Sequence, residues 1–138
     1  MLGESSGENF MDRLLFKKIN LLIHLATVDG HFHDSEKELL RTLLAENGLK
    51  QSYLEEHTAE PVLFESLNAM PDKDELLYWV LKLIHADQLL HPKELTFANS
   101  VAGHLGYKTE VIEFYRHHSL QSLSEFKKEV NAFKTQTV

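Results

Sequence analysis

Two stretches of the chain are apolar on nearly every side of a helix: residues 14–28, "LLFKKINLLIHLATV", and residues 75–86, "ELLYWVLKLIHA". A helix without a polar face belongs inside a bundle, so these stretches predict its two central helices. Each runs into a short acidic turn and then a new helix start. "HDSEKELL" places Asp34 and Glu36 in a first turn, and "HPKELTFA" places Pro92 where a first helical residue tolerates it, with Glu94 two residues on. Amphipathic stretches follow and stop at Gly48 and Gly106, where glycine ends a helix by entering the left-handed region. Shorter helices are expected near 51–58 and 108–119. A connector lies between Pro61 and Pro71, and a last amphipathic helix falls near 122–134. No run alternates apolar and polar residues as a half-buried strand would.

The two halves match at a shift of 58 residues without a gap. Asp29 falls on Asp87, His33 on His91, Glu36 on Glu94 and Gly48 on Gly106, while Leu25, Phe32, Leu39, Leu43 and Leu54 fall on Leu83, Leu90, Phe97, Val101 and Ile112. One helical unit is therefore expected twice, over about 14–57 and 72–115. The fold class that follows is all-α: a compact bundle of seven or eight helices built from two pseudo-repeated units. Residues 1–9, rich in Gly, Ser and Glu, are expected to form a mobile tail, with one domain over 10–138.

Composition narrows the chemistry. At 138 residues and 43% hydrophobic, the chain suits one globular domain. The absence of cysteine excludes disulfides, thiolate zinc sites and cysteine nucleophiles, and fits a reducing cytoplasm. Apolar runs broken by Asn20, His24, Lys82 and His85 are too short to span a membrane, and the start has neither a basic leader nor an apolar run of signal length. A net charge of -7 disfavours nucleic acid, whose phosphates need clustered Lys and Arg. Residues 55–75 hold seven carboxylates against Lys73 alone, which makes this segment a solvated helical surface or a docking face for a basic protein partner.

The turn "VDGHFHDSEKELL" poses the sharpest chemical question. Asp29, Gly30, Phe32 and Glu36 reproduce the end of a calcium-binding helix–loop–helix motif, but the earlier ligand positions are Leu25 and Thr27, or Leu83 and His85 in the second copy. Calcium needs six to eight oxygens, so a high-affinity site of that kind is excluded. Two readings stay open. In the first, each Asp pins its turn and each Glu caps its helix, as a clasp. In the second, Asp29, His31, His33, Glu36, Asp87, His91 and Glu94 gather as ligands for a divalent or transition metal, whose preferences mixed N/O donors suit.

The string "HLATVDGHFHDSEKELLRTLLAENGL", followed by the degenerate "LKLIHADQLLHPKELTFANSVAGHLG", resembles the TerB-like domain of tellurite-resistance proteins over most of residues 14–115. The resemblance implies a bundle of about seven helices in two related halves, a link to tellurite and stress resistance, and divalent-metal binding through acidic residues. Asp29, Glu36, Asp87 and Glu94 match the acidic positions. Gln88 stands where the second turn would carry glycine, and the histidines at 31, 33 and 91 fall outside the family motif.

Other features carry less. His117 and His118 after Arg116 suit a helix C-terminus. Tyr78, Trp79, Phe97 and Phe114 have the spacing of core residues. His24 and His85, on the central helices, are expected to be hydrogen-bonded in the core. There is no phosphate loop, nucleophile elbow or metalloprotease helix. The sequence therefore points to a non-enzymatic interaction module or scaffold, with a metal-responsive protein using Asp29, His33, Asp87 and His91 as the alternative, and an enzyme without recognisable signature as the second.

Overall fold

The computed structural model describes residues 10–28, 30, 32–50, 52–56, 64–86 and 91–135. Within them the protein is all-α, without a strand. Helix α1 spans Phe10–Thr27, α2 Asp34–Glu46 and α3 the single turn Tyr53–Glu56; a 3-10 turn at Phe64–Ala69 leads to α4, Lys73–Ala86. Then come α5 at Pro92–His104, α6 at Glu110–Arg116 and α7 at Leu123–Val130, the last running into a 3-10 turn at Asn131–Phe133. The expected tail 1–9 and residues 57–63 of the connector region lie outside the described residues.

The stretches apolar on all sides do lie at the centre. Helix α4 packs against α1, α2, α6 and α7, and α1 packs against α2, α4 and α5. Ile19, Leu22, Leu76, Leu77, Val80 and Leu81 are completely buried. Each such side chain contributes roughly 2 kcal/mol of transfer free energy, so these two helices hold a large part of the core. Their polar interruptions are accommodated by reach. Lys18 lies along the Trp79 ring, 5.7 Å from its centroid, and carries its ammonium to Glu75 at 3.4 Å.

Tyr78 and Trp79 join the core, whereas Phe97 and Phe114 are only partly buried against it. His85 departs from expectation. It is exposed, because Lys82 and His85 stand three residues apart on the one face of α4 that the bundle leaves open; its Nε2 still finds a partner, the Tyr115 carbonyl at 2.7 Å. His118 bonds the Phe114 carbonyl through Nδ1 at 2.6 Å, and His117 pairs with Glu113 at 2.7 Å, so both serve the end of α6.

Helix α7 is capped by Ser122, whose hydroxyl accepts from the Glu125 amide at 3.4 Å, and it buries Phe126 and Val130. Beyond it the chain turns back. Lys134 forms an isolated antiparallel bridge with Tyr107, a long-range pairing that the local pattern of residues does not foreshadow. Among the described residues no helix is long and apolar enough to cross a membrane.

Candidate functional site

The starts of α2 and α5 carry the described members of the expected acidic and histidine set. The backbone amide of His33 donates to Glu36 Oε1 at 3.1 Å, and that of His91 donates to Glu94 Oε1 at 3.1 Å. Both carboxylates are withdrawn from water, Glu36 at 0% and Glu94 at 2% exposure. A glutamate at the third helical position that reaches back to the capping residue satisfies an amide the helix leaves orphaned, and it places negative charge at the positive end of the helix dipole. The clasp reading describes the geometry of these two glutamates.

His91 is engaged through its side chain as well. Its Nδ1 accepts from the Lys93 amide at 3.0 Å, which requires a lone pair on Nδ1 and, in the neutral ring, the proton on Nε2. Neither nitrogen of that tautomer offers a lone pair to a metal while the cap bond lasts. Capping and ligation by His91 therefore exclude each other. Asp29, His31 and Asp87 lie outside the described residues. Among the described residues no three His, Asp or Glu side chains converge as a metal-holding set.

The glycines after these helices behave alike. Gly48 and Gly106 have φ of 77° and 95°. Gly48 donates to Ala45 O at 3.1 Å and Leu49 to Leu44 O at 2.8 Å; Gly106 donates to Gly103 O at 3.1 Å and Tyr107 to Ala102 O at 3.0 Å. This is the left-handed termination expected of both positions.

Four carboxylates of the acidic stretch 55–75 are paired with cations from other parts of the chain. Glu55 pairs with Arg41 at 2.9 Å, Asp72 with Lys127 at 2.8 Å, Asp74 with Lys134 at 3.5 Å and Glu75 with Lys18 at 3.4 Å. The hydrogen bond from Arg41 holds the Glu55 carboxyl below its ordinary range. Partial burial pushes Asp72 upward, but the Lys127 ammonium and the Glu75 amide outweigh it and leave Asp72 below its ordinary value. Asp72 also takes a positive φ of 50°, so that its Oδ1 accepts the Glu75 amide at 3.2 Å and caps α4.

Asp72 and Asp74 border a cleft of about 450 Å³, together with Met70, Leu105, Tyr107 and Lys134. Tyr107, 2% exposed, donates its hydroxyl to Asp74; burial and then this bond raise the phenol far above its ordinary range. Comparison of the chain with family models, with curated proteins and with solved structures finds no match. The cleft brings together α4, the Gly106 turn and the segment after α7. Sequence reading singled out Asp72 and Asp74 only as members of an acidic run. Tyr107 and Lys134 carried no signal of their own, because their pairing is set by the return of the chain after α7.

Proposed function

We propose that this chain is a TerB-like helical interaction module, a scaffold in a stress-response or tellurite-resistance context, that docks a basic protein partner beside Asp72 and Asp74. We read the bundle as seven or eight helices in two related units, with the acidic turns acting as clasps. The observation that carries this reading is the repeated cap. Glu36 and Glu94 are buried and bound to the amides of His33 and His91 at the same 3.1 Å, 58 residues apart. Groups that a metal or catalytic site would draw on are thus occupied in holding helix starts. Asp72 and Asp74, at 37% and 17% side-chain exposure, line the cleft, which supports placing the docking face there.

Crosslinking capture tests the interaction. A partner should be retained by the wild type and lost on charge reversal of Asp72 and Asp74; enrichment that charge reversal leaves intact contradicts the reading. The metal-responsive alternative draws support from the ligand-type residues His33, Glu36, His91 and Glu94 at the two helix starts. It requires His91 to release Lys93. Melting of chelator-stripped protein should be unchanged by micromolar zinc, manganese or calcium if the turns are clasps, because only a ligand of the native state raises stability.

A further inference from the structure

The segment after α7 is held to the bundle as a bound peptide would be. Its backbone becomes extended at Lys134, with φ of -76° and ψ of 136°. The Phe133 carbonyl accepts from the Lys108 amide at 2.6 Å, and the Thr135 amide and hydroxyl both donate to Gly106 O, at 2.8 and 3.0 Å. Phe133 ends the 3-10 turn, and the extended backbone begins only at Lys134. Phe133 lies against Phe114 and Tyr115, with ring centroids 5.1 and 5.7 Å apart, while Lys134 reaches Asp74. Backbone pairing for affinity and side-chain pockets for selection are the elements of recognition by strand addition.

Two features argue that this occupant can be exchanged. Thr135 is exposed, Lys134 is 40% exposed and Phe133 is only partly buried at the edge of the core, so opening the segment leaves in place the Phe126 and Val130 contacts by which α7 closes the core. The cleft beside Lys134 also stays open, with Met70 and Leu105 in its lining and Asn68 and Lys73 among the remaining residues. A longer partner would gain contacts there that the chain's own segment does not make, which is the differential affinity an exchange requires.

We propose that residues 106–108, Phe114, Tyr115 and Asp74 form a recognition site for an extended protein segment of the pattern aromatic, basic, Ser or Thr, held in cis by Phe133, Lys134 and Thr135. This rests on the interaction reading and gives its partner a chemistry. The tethered segment competes at an effective concentration on the order of millimolar, so a free peptide should bind the wild type weakly and a chain with a weakened segment well.

The probe is a fluorescent peptide with the sequence of residues 129–137, EVNAFKTQT. Fluorescence anisotropy should give a Kd at least about tenfold lower for the full-length F133A/K134A variant than for the wild type. A peptide carrying the same two substitutions should not bind, and adding D74N should weaken the gain. K134E/T135A, which retains Phe133, should give a smaller gain. Equal binding to wild type and folded variants overturns the proposal. So does loss of helical circular dichroism in both variants, since a segment required for folding is not an exchangeable ligand. A wild type that dimerises, with F133A/K134A monomeric, overturns the partner assignment in favour of a second copy. Failure of the peptide with a partner still captured by crosslinking would sink this site alone; failure of both would remove the interaction reading.

Discussion

The starts of α2 and α5 solve one problem with partly different residues. Both bury a glutamate on the amide three positions before it, at 3.1 Å. Around that bond the chemistry changes. Helix α2 opens with Asp34, whose charge suits the helix dipole, whereas α5 opens with Pro92 and adds the bond from the Lys93 amide to His91 Nδ1. The shared element is therefore the glutamate clasp, and the first helical residue is replaceable. A metal site would place its emphasis differently, on keeping the imidazoles free.

Removing the shared element should have the largest effect. Glu36→Ala and Glu94→Ala are each expected to lower stability by about 2–4 kcal/mol in urea unfolding, because each removes a buried charged acceptor from a capping amide at a helix start. Glu36→Gln and Glu94→Gln keep an acceptor oxygen and should cost clearly less. Equal losses for Ala and Gln would mean that charge at the helix dipole, and not the bond, holds the turn. A large loss at only one of the two sites would break the comparison.

The helix ends come next. Gly48→Ala and Gly106→Ala force a side chain into the left-handed region, at φ of 77° and 95° with open space around each added methyl group, and should cost about 1–2 kcal/mol apiece by the same unfolding assay. The variable element should matter least. His91→Ala is expected to cost about 1 kcal/mol and His91→Asn to recover most of it, since asparagine is a good capping residue. No loss at His91→Ala would remove the argument that this imidazole is committed to its cap.

The second half also carries a pH dependence. Tyr107 and Tyr115 titrate above their ordinary value, raised by burial and by bonds to Asp74 and Glu129. A raised phenol stabilises the fold fully below the unfolded value near pH 10 and loses that contribution as pH rises through the folded value. Unfolding midpoints should therefore fall above about pH 10, and less steeply for Tyr107→Phe. An alkaline profile unchanged by that substitution would remove Tyr107 from the account.

Much of the fold was legible because its signals are local. Residues 14–28 and 75–86 are apolar around the whole helix, and only a central position suits that pattern; the glycines at 48 and 106 follow amphipathic runs. The clasp was legible as a repeated pair, an Asp in the turn and a Glu seven residues on in the first helical turn, but not as a choice, and histidine as the capping residue was not foreseen. A histidine that caps and a histidine that ligates are the same letter, and only the Nδ1 contact separates them. The exposed face of His85 could have been read from its three-residue distance to Lys82. The pairing of Lys127 and Lys134 with Asp72 and Asp74 could not, because it joins residues more than 50 positions apart and leaves no periodicity behind.

The clasp is tested most directly by amide hydrogen exchange at His33 and His91, followed by NMR in chelator-stripped protein. Both amides should exchange slowly, each should lose its protection when its own glutamate becomes alanine, and zinc, manganese or calcium should leave both unchanged. Exchange at the rate of an unstructured peptide, or protection that appears only with metal, would contradict the clasp.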